Sequence, residues 1–303
     1  MTAFDPDLEA RVRSSMFAYL TTEIAREGGR ITREVLERFD FEGTRLPLID
    51  MRRGIRKPAA LSAALTITTS YVAPGQVPPY ADDFGPDGLP RYKWRGHDGE
   101  HAENRALRNA MTHRLPIAWL VGVASGSYIA SFPVWIIYEE APARQFVVEL
   151  EAGMAGGESG ANAELTRRYV DEVVKRRLHQ PLFRERVLLA YRDTCGMCRL
   201  RGHPELVDAA HIVGDGQPLG DPIVPNGIAL CKIHHAAFDC DIVGVTPDYV
   251  IAVRESVLEE RDGPMLLHGL QALHGNRLHM PSSRSAMPDR ERLALRYDRF
   301  RAA

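Results

Sequence analysis

The sequence predicts an α+β protein in two parts. The first is a β-rich barrel or sandwich with flanking helices; the second is a small strand-and-helix unit built round a metal. Three observations carry this expectation. Residues 60–150 hold short apolar and β-branched runs broken by Gly and Pro. Glu151 to Ala163 (EAGMAGGESGANA) is rich in Gly and Ala and reads as a linker. Farther on, Cys195-Gly-Met-Cys198 and Cys231-Lys-Ile-His234 supply two ligand pairs at matching spacing.

Pro6 to Glu27 reads as an amphipathic helix, with Leu8, Val12, Met16, Leu20 and Ile24 at intervals of four. Gly28-Gly29 ends it. Thr32 is an N-cap candidate for a second helix reaching Phe39. This pair could form a helix-turn-helix-like subdomain or simply pack on the next domain. A basic turn, Arg52 to Pro58, precedes a strand expected over Ala60 to Tyr71, and further strands are expected at Tyr128 to Tyr138 and Gln145 to Leu150. Beyond the linker, Glu164 to Leu178 and Pro181 to Tyr191 read as helices. Asp241 to Val253 reads as a hairpin around Thr246-Pro247-Asp248, and Asp289 to Phe300 as a closing helix.

The chain has 303 residues, 45% of them hydrophobic, which allows two domains with packed cores. No apolar run reaches the roughly eighteen residues of a membrane span. The N-terminus lacks a hydrophobic signal region, and the four cysteines do not suggest a disulfide scaffold. A reducing cytoplasm is therefore expected. The net charge of −2 does not announce nucleic acid, but from Arg167 to Arg201 ten Lys/Arg face four acids. Such a cluster suits a phosphate backbone, and it equally suits a solvated helix face.

Cys195, Cys198, Cys231 and His234 would close a tetrahedral structural zinc site. A single C-x-x-C also suits a redox motif; the second pair points to metal. Within the same stretch lie Asp208-Ala-Ala-His211-Ile212 and then Asn226-Gly-Ile-Ala-Leu-Cys231-Lys-Ile-His234-His235-Ala-Ala-Phe238-Asp239. This H…N…H order, with its flanking cysteines, resembles the HNH nucleases over residues 187–255. The resemblance implies a zinc-stabilised ββα-metal domain and phosphodiester hydrolysis by one divalent ion, Mg²⁺, Mn²⁺ or another. It implies His211 as general base, Asn226 as the brace of its loop and His235 as metal ligand. Many members carry a ligand directly before the base; here that position is Ala210. Asp208, on the same strand face, is the substitute candidate, and Asp239 could support a metal-bound histidine or equally be a helix-end carboxylate.

Upstream, Tyr80-Ala-Asp82-Asp83, then Trp94-Arg-Gly96, then Asn104-Arg-Ala-Leu107 resemble the SRA domain, a PUA-like reader of modified cytosine, over residues 60–150. Trp94 stands where that family usually has Tyr. The resemblance implies that Tyr80 and Trp94 sandwich a flipped base while Asp83 reads its edge. Stacking and hydrogen bonding of that kind must offset a few kcal/mol of unpairing. The same residues could instead be barrel core aromatics and a turn cap. Arg95, Arg105, Arg176 and Arg177 are candidate phosphate contacts.

The two resemblances together imply a modification-dependent restriction endonuclease. Its recognition domain would span 1–150 (with N-terminal helices in 1–45), its connector 151–180 and its nuclease domain 181–303. Its partner would be double-stranded DNA with 5-methyl- or 5-hydroxymethylcytosine. One metal site per chain and two strands to cut require either two chains or sequential nicks, and a homodimer is the expectation. Two alternatives stand beside this reading: a nuclease without modification dependence, and a modified-DNA binding protein whose zinc-stabilised scaffold is inactive.

Overall fold

A computed structural model describes residues 3–50, 52–71, 84–85, 87–151, 174 and 178–303. The chain divides into two compact units, Met1–Pro181 and Leu182–Ala303. The expected linker after Glu151 and most of the helix expected over 164–178 lie outside the described residues. So do Tyr80, Asp83, Arg176 and Arg177.

The first unit opens with helix α1 (Pro6–Arg26), capped by the Asp5 carboxylate, which accepts from the amides of Asp7 and Leu8. Strand β1 (Ile31–Thr32) and helix α2 (Arg33–Arg38) follow, with the Thr32 hydroxyl accepting from Val35 N. A small hairpin, β2 (Asp40–Phe41) and β3 (Thr44–Arg45), leads to the main sheet. That sheet contains β4 (Ile55–Arg56), β5 (Thr66–Thr69), β6 (Arg91–Lys93), β7 (Ile117–Ala124), β8 (Ser127–Glu140) and β9 (Gln145–Glu149). Its order is β4-β5-β7-β8-β9-β6, with β1 also paired to β8, and among the described strands only β5 and β7 run parallel. Strand β8 carries two pairings. Ser127 to Val134 pairs with β7, and Trp135 to Glu140 pairs with β9. The sheet therefore curls into a half-barrel, where the sequence had suggested a barrel or sandwich. Val12, Met16 and Leu20 of α1 and Leu36 and Phe39 share one core with Leu61, Leu65, Ala118 and Leu120.

Two expectations are corrected here. The strand expected over Ala60 to Tyr71 shrinks to Thr66–Thr69. The reason is a buried ion pair between Glu9 and Arg13 of α1. The Glu9 carboxylate takes the amides of Ser62 (2.9 Å) and Ala63 (3.1 Å), and Arg13 donates to the carbonyls of Ala64 (2.7 Å) and Pro116 (2.9 Å). Those backbone groups are thereby withdrawn from ladder pairing. The second correction is helix α3 (Ala102–Thr112), which arises inside a segment read as β-rich and buries Asn104, Ala106, Leu107 and Ala110.

The second unit begins on helix α4 (Gln180–Ala190). Strands β10 (Val207–His211) and β11 (Gly227–Cys231) form an antiparallel ribbon, and helix α5 (Lys232–Asp239) packs against both. The expected hairpin is present as β12 (Val243–Val245) and β13 (Ile251–Val253). Short helices α6 (Glu255–Glu259) and α7 (Pro264–Gly269) precede the closing helix α8 (Arg290–Ala302), capped by Asp289. Phe183, Val187, Tyr191, Ile212, Ile228, Leu230, Phe238 and Val243 are among the residues of its core.

Candidate metal centre and active site

Four ligand atoms converge where the ribbon meets α5. Cys195 and Cys198 sit on a turn whose backbone closes on itself, with Cys195 N donating to Leu200 O and Arg199 N to Cys195 O, both at 3.0 Å. Gly196 N donates to Ala229 O at 2.7 Å, which seats this turn beside β11. Cys231 ends β11 opposite Val207, and His234 lies in the first turn of α5. The ligand atoms all fall within 4.8 Å of one another. Cys198 Sγ and Cys231 Sγ are 4.0 Å apart, and His234 Nδ1 is 3.2 Å from Cys231 Sγ and 3.5 Å from Cys195 Sγ. A tetrahedron with Zn–S bonds of about 2.3 Å has edges of roughly 3.8 Å, so the donor set fits zinc in type and spacing.

The imidazole is also oriented for this task. Its Nε2–H donates to Gly269 O at 2.7 Å, leaving Nδ1 toward the cysteines. The four groups perturb one another's protons. Hydrogen bonds from Cys195 and Cys198 hold the Cys231 thiol well below its ordinary value. Burial opposes a charge on His234, yet its bonds to Cys195 and Cys231 outweigh that and push it up to about 10.

The other sequence-predicted residues stand along the same ribbon. Asn226 is fully buried. Its amide oxygen accepts from Val213 N and its Nδ2 donates to Val213 O, both at 3.0 Å, with a further bond to Asp221 O at 3.1 Å. Ile212 N donates to Asn226 O at 2.9 Å. Asn226 therefore closes the loop that begins directly after His211. His211 ends β10, pairs in register with Gly227, and stacks on Phe183 with ring centroids 3.9 Å apart at 20°. His235 lies one residue past the zinc ligand, its Nε2 3.3 Å from the Asp239 carboxylate one helical turn on. Phe183 carried no functional signal in the sequence; an apolar helix residue gives none until a partner is seen.

Asp208 is held by cations. Its Oδ1 accepts from Arg184 Nε at 3.1 Å, and its Oδ2 accepts from Lys232 Nζ at 2.9 Å. Burial raises its pKa, but the Lys232 bond, the Ala209 amide and the two positive charges outweigh this and hold it below the usual carboxylate value. Among the described residues, the Cys195, Cys198, Cys231 and His234 group is the cluster of three or more such ligands that could enclose an ion.

In the first unit, Trp94 follows β6 and is half-buried. Arg108 lies over its ring at 5.8 Å, and Phe146 is tilted against it at 6.5 Å. Arg108 is fixed by both Glu139 oxygens, at 2.7 and 2.9 Å, and by Gly99 O. Asn104 latches the following loop, accepting from Arg95 N at 2.8 Å and donating to Asp98 O at 2.8 Å. Arg95 and Arg105 are exposed.

No family model matches the chain, and no curated protein does. A solved structure, "Modification dependent TagI restriction endonuclease", aligns with 82% of this chain and 86% of its own. The alignment has 15% identity and a TM-score of 0.29, a superposition too loose to establish a shared fold.

Proposed function

We propose that the protein is a modification-dependent DNA endonuclease, with an SRA-like reader in the first unit and an HNH-type nuclease in the second. The observation that carries this reading is the second unit's ribbon. His211 ends one strand, Asn226 closes the loop behind it, His235 lies on the helix that follows, and a Cys₃His site staples the opposite end. In this reading His211 takes a proton from the attacking water, a task that suits a neutral imidazole. Asn226 holds the chain on which His211 is mounted. His235 is the residue that would hold a divalent ion such as Mg²⁺ or Mn²⁺, with Asp239 orienting its ring. Such an ion, when bound, polarises the phosphate and stabilises the leaving oxygen. Mg²⁺ keeps most of its shell as water and substrate oxygens, so few protein groups suffice. Asp208 would join it only by exchanging Lys232.

In the first unit, Trp94 supplies one stacking surface for a flipped modified cytosine, and Tyr80 and Asp83 complete the pocket. Exposed Arg95 and Arg105, with Arg176 and Arg177, hold backbone phosphates. Two copies of the chain would cut the two strands.

His211→Ala tests the nuclease assignment. It is expected to abolish cleavage in Mg²⁺ or Mn²⁺ while leaving folding and DNA affinity intact; a variant that still cuts at the wild-type rate removes His211 from the reaction. A second reading, a binding protein on an inactive scaffold, is favoured by Ala210 and by the ion pairs that occupy Asp208. It predicts retained affinity for modified DNA and no cleavage by the wild type.

A further inference from the structure

We infer that Phe183 is a positioning residue for His211, fixing the orientation of its imidazole from the neighbouring helix. Three observations converge on the rung where His211 pairs with Gly227. Phe183 is 2% exposed and lies nearly parallel to the imidazole, at a centroid separation of 3.9 Å. Stacking at that distance restricts the imidazole ring that lies against it. Val187, one turn farther along α4, is fully buried on the same helix face. Gly227 is what lets this face approach. A Cβ built there would meet Phe183 Cζ at 2.9 Å and would collide with Val187. The helix rests on bare backbone at the one rung that carries the histidine.

The arrangement bounds His211 on two sides. Asn226 fixes the backbone that follows it, through Ile212 and Val213. Phe183 fixes the ring. A proton acceptor must meet its donor in one geometry, and a ring stacked face to face holds the imidazole toward one. Only the catalytic consequence rests on the nuclease reading; the positioning is a property of the fold.

Phe183→Leu keeps most of the buried volume and removes the ring. Two readouts separate the claims. Three-bond couplings in selectively histidine-labelled, full-length protein report the His211 χ1 distribution. A single rotamer is expected in the wild type and averaging in Phe183→Leu; a His211 that stays in one rotamer without the ring overturns the positioning. In single-turnover cleavage of a 5-methylcytosine duplex, the variant's rate is expected to fall roughly tenfold to a hundredfold, because small misplacements of a reacting group are costly. DNA affinity is expected to stay unchanged. An unchanged rate overturns the catalytic consequence. Gly227→Ala pushes the ring from the other side and is expected to reproduce both effects if Phe183→Leu fails to fold. A wild type that cuts no duplex would sink the nuclease reading and leave the rotamer measurement to decide the positioning.

Discussion

Cys198 is the exposed member of a ligand set whose other three members are buried. It can be removed without opening a core cavity, which makes Cys198→Ala a clean test of metal dependence. Structural zinc contributes on the order of 10 kcal/mol to small domains that close around it. The variant is expected to lose bound zinc and the cooperative unfolding of the second unit, as followed by metal analysis and thermal melting. A variant that is folded without zinc would contradict a structural ion. The proton balance gives a second expectation. Zinc needs thiolates and a neutral imidazole, whereas His234 is pushed up to about 10 and so carries a proton at neutral pH. Uptake of the ion must release that proton, together with that of any ligand cysteine still in its thiol form, which Cys198, pushed up by its neighbours, would be. Zinc affinity should therefore fall as pH is lowered, and calorimetry in buffers of different ionisation enthalpy should show proton release.

At the scale of elements, the closing helix α8 is tied back to the end of α5 by one carboxylate. Asp241 pairs with buried Arg296 and accepts from Arg299 Nε at 3.0 Å, while Arg296 also lies 4.4 Å over the Phe238 ring. Burial raises the Asp241 pKa, but the bonds and charges of Arg296 and Arg299 outweigh it and hold the group below its ordinary value. Its contribution to stability is thus fully present above the unfolded value near 3.9. It is lost as pH falls through the lower folded value. Asp241→Asn leaves Arg296 buried without its counter-charge and is expected to cost about 3 kcal/mol at neutral pH, measured by urea unfolding. The variant should also lose that part of the acid sensitivity. Elements with strong local signals were legible in sequence: α1 from its spacing of four, the β12–β13 hairpin from its Thr-Pro-Asp turn, and α8 as the closing run from Asp289 to Phe300. The strand lost before Thr66 was not legible. Its amides are claimed by Glu9, more than fifty positions away, and local spacing carries no trace of that partner. Helix α3 was obscured because its Asn104 and Leu107 were read as part of an extended motif.

For the molecule as a whole, the candidate site divides in the same way. Paired C-x-x-C and C-x-x-H spacing encodes ligand positions directly, and the four side chains do converge. The role of Phe183 depends on Gly227 admitting a helix from elsewhere in the chain, which no motif records. Asp208 illustrates the limit most sharply. Strand alternation placed it on the face of the missing ligand, but its charge is answered by Arg184 and Lys232, which lie far from it in sequence. The proposed reader would depend on Trp94 inside the described fold and on Tyr80 and Asp83 outside it, so a measurement on DNA must test both proposed activities.

That measurement is cleavage of matched duplexes carrying cytosine, 5-methylcytosine or 5-hydroxymethylcytosine, in Mg²⁺ or Mn²⁺. Cutting of the modified duplexes and none of the unmodified one is expected. Equal cutting of all three would contradict the reader assigned to the first unit, and binding without cutting would contradict the nuclease assigned to the second.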